Sequence, residues 1–157
     1  MRLLIQLDIK IMFILLMCWG VSSLADESNT TDVQPVKKYY VHDVKNAMND
    51  HIANSVDENG VFTIEDDKTG ETLALKFVKI HDPVRVINGR TYFACTDFHV
   101  VGNKKKLYDL DFWMSPVDGK LKIFKTKIHK EPRKSLIYGW YKQPRYTFVD
   151  DKIVELY

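Results

Sequence analysis

The stretch TYFACTDFHVVGNKKKLYDLDFWM (residues 91–114) decides the fold, because apolar and polar side chains alternate along both of its halves. A period of two is typical of strands that lie with one face on a core. The polar turn Gly102-Asn103-Lys104 separates the halves and indicates that they are antiparallel neighbours. If Asp97 lies opposite Asp109, the two halves separate into one apolar face and one polar face.

Further alternating segments on both sides of this stretch are joined by short turns. Asn88-Gly89 and Asp118-Gly119 are dipeptides typical of two-residue hairpin turns. Short connections favour pairing between successive strands, so we predict a curved antiparallel meander of about five strands. The predicted strands are Val61–Glu65, Glu71–Ile80, Thr91–Val101, Lys106–Met114 and Lys120–His129.

Prolines mark the expected limits of the meander, because proline cannot donate a backbone hydrogen bond to a strand ladder. Pro83 interrupts the chain after the second strand, and Glu131-Pro132-Arg133 is expected to end the last one. Residues 135–144 are irregular and aromatic, and we predict a C-terminal aromatic flap there. A last hairpin follows, with strands Arg145–Val149 and Lys152–Leu156.

A register in which Asp97 faces Asp109 and Asp111 faces Lys125 divides the side chains of the central strands into an apolar face and a polar face. The expected apolar face consists of Ala94, Thr96, Phe98, Tyr108, Leu110, Phe112, Phe124 and Ile128. The expected polar face consists of Cys95, Asp97, His99, Asp109, Asp111, Lys125 and Lys127, with Trp113.

An amphipathic helix is predicted from about Tyr39 to Val56, because apolar residues recur there at three- and four-residue spacing. Packing this helix on the apolar sheet face gives an α+β fold. One helix followed by a curved antiparallel sheet resembles the element order of cystatin-like and NTF2-like domains. The resemblance is one of element order, so it implies no residue roles and no activity.

The N-terminus has the pattern of a cleaved secretory signal. Residues 1–25 combine Arg2 and Lys10 with the apolar run Ile11–Trp19, and Ser23 and Ala25 form a small-x-small cleavage site. The run is shorter than a membrane span, which needs about 20 residues. We predict a cleaved signal peptide (1–25), a disordered leader (26–37) and a single domain (38–157). The expected location is periplasmic or secreted, with no stable membrane anchor after cleavage.

Charge and cysteine content narrow the possible partners. The chain has 23 lysines and arginines against 21 acidic residues, and this balance argues against nucleic acid as a partner. Removal of residues 1–25 leaves Cys95 as the remaining cysteine, so an internal disulfide is excluded. Cys95 is then a buried apolar thiol, a metal or redox thiol, or half of an intermolecular disulfide.

No nucleophile, zinc-protease, phosphate-loop or dinucleotide motif is present in the sequence. We therefore expect an exported, non-catalytic module without a cofactor that binds a protein or a small molecule. Its expected binding surface is the aromatic segment, with Tyr138, Trp140, Tyr141 and Arg145 as binding residues, because such side chains are enriched at binding hot spots. The alternative for this segment is a flap that covers the second sheet face.

Two alternative functions remain open. Thiol, imidazole and carboxylate groups are ligands for zinc or copper, and Cys95, Asp97, His99 and Asp111 are the candidate metal ligands. The other alternative is a small cone-shaped α+β hydrolase or isomerase. His81 and His129 each end a predicted strand; because these strands run in opposite directions, we expect the two histidines at opposite ends of the sheet.

Overall fold

One helix precedes the strands in the structure, a computed structural model that describes residues 37–82 and 84–156. These residues belong to the compact unit Val36–Tyr157. The predicted signal peptide and residues 26–36 of the predicted leader lie outside the described residues, as does Pro83. The elements are α1 (Val41–Ser55), β1 (Phe62–Glu65), β2 (Thr72–Ile80), β3 (Arg85–Ile87), β4 (Thr91–Val100), β5 (Asn103–Val117), β6 (Lys120–Ser135), β7 (Gly139–Pro144), β8 (Tyr146–Val149) and β9 (Lys152–Glu155).

The architecture is mostly antiparallel sheet with one helix among the described residues, which confirms the α+β class. The main sheet has the strand order β1-β2-β4-β5-β6-β7, and β3 pairs with β4. It therefore contains seven strands, more than the five that the sequence predicts for the meander. Strands β8 and β9 form a separate hairpin. Within the described part of the chain, no helix has the length and apolar character needed to cross a bilayer.

The hairpin turns follow the local sequence signals. Asn88 and Gly89 both have positive φ, 49° and 69°, and Asp118 and Gly119 have φ of 51° and 72°. Two consecutive left-handed residues are the requirement of a type I′ turn, whose twist matches that of the flanking strands. These dipeptides therefore fix the β3–β4 and β5–β6 connections.

Helix α1 packs on the apolar face of the sheet. Its first turn is capped by Asp43, whose side chain accepts a 2.8 Å hydrogen bond from the backbone N–H of Tyr40. Val44 and Met48 are fully buried and Ile52 nearly so, as the three- and four-residue spacing predicts. Their shared core also contains Phe62, Leu75, Tyr92, Ala94, Phe98, Leu110, Phe112, Met114 and Ile128.

The central register confirms one predicted pair and corrects the other. Asp97 lies opposite Asp109, but Asp111 lies opposite Lys127 rather than Lys125. The two-residue turn pairs Val117 with Lys120, and a bulge beyond Met114 adds one unpaired residue, Phe124, to β6. The predicted place of Phe124 on the apolar face is therefore wrong: it is 59% exposed.

Strand β6 continues where the sequence predicts a break. Pro132 lies opposite Lys142, and pairing extends to Ser135 and Gly139. Pairing with β5 ends at Lys130, so β6 has a neighbour on one side at Pro132 and a missing N–H is tolerated there. The segment expected to be an irregular flap thus contains strand β7.

Candidate functional site

Three aspartates are buried side by side on the polar face of β4 and β5. Asp109 and Asp111 have no exposed surface, and Asp97 retains 5%. Asp97 faces Asp109, and Cys95 faces Asp111. A buried carboxylate is costly unless cations and hydrogen bonds compensate for its lost hydration. The partners of the three aspartates therefore define the chemistry of this face.

Two lysines neutralise the negative charges of Asp97 and Asp109. Lys142 of β7 lies 2.7 Å from Asp97 and 2.5 Å from Asp109, and Lys130 of β6 lies 2.9 Å from Asp109. Burial opposes ionisation of Asp97, but its contacts with the Lys142 ammonium and with His81 prevail and lower its pKa. Burial also opposes the charge of Lys142, yet the two carboxylates raise the pKa of the ammonium above its usual value.

His81 adds a third group to Asp97. Its Nε2 lies 3.0 Å from the Asp97 carboxylate, and its backbone N–H donates to the carbonyl of Cys95 at 2.8 Å. His81, Asp97 and Lys142 line an open cleft of about 500 Å³ together with Lys79, Ile80 and Asp82. Solvent therefore reaches this side of the polar face.

Asp111 has a different set of neighbours. The Tyr146 hydroxyl donates a 2.7 Å hydrogen bond to Asp111 Oδ2, and His129 Nδ1 lies 3.3 Å from the same carboxylate. The rings of His129 and Tyr146 stack with centroids 4.7 Å apart. Burial, and then the Asp111 charge, raise the pKa of the Tyr146 phenol, so this hydroxyl stays protonated as a donor.

Cys95 lies on the polar face between Asp109 with its lysines and Asp111 with Tyr146 and His129. The ligand atoms of His81, Cys95 and Asp109 are within 4.8 Å of one another, and so are those of Cys95, Asp111 and His129. The thiol is partly exposed and free of any disulfide. Burial and the nearby carboxylates of Asp111 and Asp109 raise its pKa. The free protein therefore holds Cys95 as a neutral thiol, which is a poor nucleophile.

Arg145 forms a second buried ion network beside the polar face. Its guanidinium donates two 2.6 Å hydrogen bonds to Asp66 and a 2.8 Å bond from Nε to Glu131. The Arg145 hydrogen bonds lower the pKa of Asp66 to about 2. Since Arg145 is only 6% exposed, the structure places this predicted binding residue inside the protein.

The other predicted binding residues lie at the β6–β7 hairpin. Leu136, Ile137 and Tyr138 form the tip of this hairpin and are 104%, 82% and 81% exposed. Trp140 and Tyr141 follow on β7, where Tyr141 is exposed and Trp140 is half-buried. The Lys106 ammonium lies 5.0 Å from the centre of the Trp140 ring, a distance at which the cation is attracted to the ring face.

No family model, curated protein or solved structure matches this chain.

The structure brings together part of the predicted metal set. Cys95 and Asp111 are neighbours, and Asp97 lies beside them on the lysine-compensated side. Among the described residues, His99 belongs to neither of the two groups whose possible ligand atoms lie within 4.8 Å of one another. Its Nδ1 is 3.0 Å from the carbonyl oxygen of Val100. The histidines near Cys95 are instead His81 and His129.

The expectation that His81 and His129 lie at opposite ends of the sheet is therefore wrong. It assumed that β6 ends at His129, whereas β6 continues to Ser135 and leaves His129 in its interior. A register irregularity between Asp109 and Leu110 places His129 as the additional residue between Ile128 and Lys130. The sequence carries no local signal for this continuation, because only the pairing of β6 with β7 shows that Pro132 lies where a proline is tolerated.

Proposed function

We propose that the protein is an exported, non-catalytic module that binds an extended acidic segment of a protein partner at the β6–β7 hairpin. The observation that carries this proposal is the exposure of Leu136, Ile137 and Tyr138 at the hairpin tip. Three consecutive large apolar side chains at this exposure are typical of an interaction site. The predicted signal peptide supports export.

The strand that follows the tip supports an extended partner. Among the described strands, β7 pairs with β6 alone and is the last strand of the sheet. The outer edge of such a strand carries backbone donors and acceptors that a further strand can use. Trp140 and Tyr141 on β7 supply the aromatic area that commonly anchors binding.

The charge around the hairpin supports an acidic partner. Lys106 lies over the Trp140 ring, and Lys134 lies directly opposite Trp140 on β6. Arg133 is also on this hairpin, where it pairs with Glu131. Cations beside an apolar surface favour carboxylates in the partner and accelerate the encounter between the two proteins.

Other features support the non-catalytic part of the proposal. The raised pKa of Cys95 disfavours a thiolate nucleophile. We also propose a cystatin-like or NTF2-like element order, because one helix precedes the antiparallel strands; this likeness implies no activity. A hydrolase or isomerase on this fold would use polar groups of the sheet face, but Asp97 and Asp109 are already paired with lysines.

Photo-crosslinking followed by reconstitution tests the proposal. Photoreactive benzoylphenylalanine replaces Ile137 at the tip or, as the control, Phe124, which is exposed near the other end of β6. We expect one protein to be crosslinked from position 137 in the producing organism and not from position 124. Purified separately, that protein should bind the wild type directly.

The triple variant Leu136→Ser, Ile137→Ser and Tyr138→Ser should weaken this purified complex by at least about tenfold, since hot-spot side chains dominate binding energy. The matched control is Phe124→Ser, which should leave the affinity unchanged. Equal affinity of the triple variant and the wild type for the purified partner would contradict the proposal. Crosslinking to lipid alone from position 137 would contradict it as well.

A further inference from the structure

Cys95 is shared by two candidate groups of metal ligands, and their charges distinguish them. In the group of His81, Cys95 and Asp109, the aspartate already contacts the ammonium groups of Lys130 and Lys142. A cation placed there would be repelled by both lysines. In the group of Cys95, Asp111 and His129, the partners of Asp111 among the described residues are the neutral Tyr146 hydroxyl and the His129 imidazole. This second group is the one that favours an added positive charge.

The second group also contains a buried carboxylate oxygen that no cation contacts among the described residues, whereas Asp109 Oδ2 of the first group lies 2.9 Å from the Lys130 ammonium. Asp111 has no exposed surface, and its Oδ1 lacks a hydrogen-bond partner among the described residues. His129 Nδ1 is buried without a well-aligned hydrogen bond as well. A buried carboxylate oxygen without a partner is unfavourable, and a bound cation would supply the missing partner. Asp111 and His129 each have a possible ligand atom within 4.8 Å of the Cys95 sulfur.

We propose that Cys95, Asp111 and His129 form a binding site for a zinc ion. One thiolate, one imidazole and one carboxylate are the three ligand types that Zn²⁺ uses in proteins. The mixture of one soft ligand with nitrogen and oxygen ligands favours Zn²⁺ over Ca²⁺ or Mg²⁺, which take oxygen ligands. Three protein ligands leave one coordination position for water or for another molecule.

The surroundings of the three ligands fit a metal site. Tyr146 donates to Asp111 Oδ2 and so leaves Oδ1 as the free oxygen, an orienting role that is common in the outer shell of metal sites. The His129 side chain retains 18% of its exposed surface, and Cys95 is partly exposed. The ion therefore has access to the site from solvent.

Binding converts the thiol into a thiolate ligand. The proton leaves the Cys95 sulfur for solvent as the sulfur–metal bond forms, and no electron is transferred. The thiolate, not the thiol, is the metal ligand, so proton release accompanies binding.

Cobalt(II) is the probe that reports on the sulfur ligand directly. The experiment uses the purified full chain with Cys18→Ser, so that Cys95 is its single thiol. We expect cobalt(II) to bind at one equivalent and to produce a near-ultraviolet sulfur-to-cobalt charge-transfer band. Addition of one equivalent of zinc should abolish this band, and zinc titration calorimetry should show one site with release of a proton.

Three variants in the same background locate the site. Cys95→Ser should abolish the charge-transfer band, and Cys95→Ser or His129→Gln should weaken zinc binding by at least about tenfold. The matched control is His99→Gln, on the same strand as Cys95, which should bind zinc like the wild type. Absence of the band in the parent protein would overturn the proposal without the need for any variant. Equal weakening by His99→Gln, or zinc binding that survives both ligand substitutions, would also overturn it.

This site is independent of the proposed partner surface. The triple serine variant of the hairpin tip should retain the cobalt band, because residues 136–138 are not among the three ligands. Absence of the cobalt band in a protein that binds its partner through the tip contradicts the zinc site alone. A protein that shows the band but binds its partner equally well with the triple substitution contradicts the partner surface alone.

Discussion

Tyr146 and Asp111 are joined by a 2.7 Å hydrogen bond that spans 35 positions of sequence. Both residues are fully buried. Tyr146 begins β8, and Asp111 lies in the middle of β5. This bond therefore ties the C-terminal hairpin to the polar face of the sheet, where Tyr146, Phe148 and Ile153 pack with Ile87, Phe93 and Trp113 in a second apolar cluster.

Tyr146→Phe should destabilise the protein by about 1–3 kcal/mol, the cost of leaving a buried acceptor without its donor. The ring still fills its place, so the measured loss reports on the hydroxyl. Urea unfolding gives the free energy of unfolding for both proteins. The matched control is Tyr141→Phe at an exposed position, which should change it by less than about 0.5 kcal/mol. Equal stability of Tyr146→Phe and wild type would mean that the bond does not anchor the hairpin.

Arg145→Met should cost about 3–5 kcal/mol, because it leaves Asp66 and Glu131 buried without their cation. Chemical denaturation provides the measurement. Arg85→Met is the matched control, since Arg85 pairs with Asp151 at the surface and an exposed pair contributes about 0–1 kcal/mol. A similar loss of unfolding free energy for the two substitutions would contradict the prediction that the buried Arg145 network stabilises the protein more than an exposed ion pair.

Acid should remove part of the stability through Asp66. Hydrogen bonds from Arg145 lower the pKa of Asp66 to about 2 in the folded protein, from an ordinary value of 3.8. A lowered pKa stabilises the fold at pH values above the ordinary one, and this contribution disappears as the pH falls from about 4 to 2. For this buried group the contribution is about 2 kcal/mol.

Urea unfolding at a series of pH values between 6 and about 2 tests this linkage. Asp66→Asn should be less stable than the wild type at pH 6, and the difference should shrink as the acid limit is approached. Asp118→Asn is the control, because the Asp118 side chain is 88% exposed. A stability difference for Asp66→Asn that stays constant across the whole range would contradict the assignment.

Local patterns predict the centre of this fold well. The alternation around Phe98 and Phe112 and the turn at Asn88-Gly89 are properties of short stretches of sequence, and each of these positions behaves as its pattern predicts. The helix is predicted from Tyr39 to Val56 and runs from Val41 to Ser55, because its apolar spacing is equally local.

The composition of the polar face depends on information that no short pattern contains. Lys142 reaches Asp97 and Asp109 from a strand that the sequence marks as irregular. His129 joins the face because β6 passes Pro132 and carries two register irregularities. Bulges and edge positions are set by pairing with distant strands. A strict period of two therefore assigns the faces of β4 and β5 correctly, but it misplaces Phe124 and pairs Asp111 with the wrong lysine.

The central claim is that the partner binds at the exposed β6–β7 hairpin. Hydrogen–deuterium exchange of the reconstituted complex tests this claim most directly. The account predicts that binding slows amide exchange in residues 136–144, at the tip and along β7, and leaves residues 120–126 of β6 unchanged. Slowed exchange confined to α1 or to β1 and β2, with residues 136–144 unaffected, would contradict it.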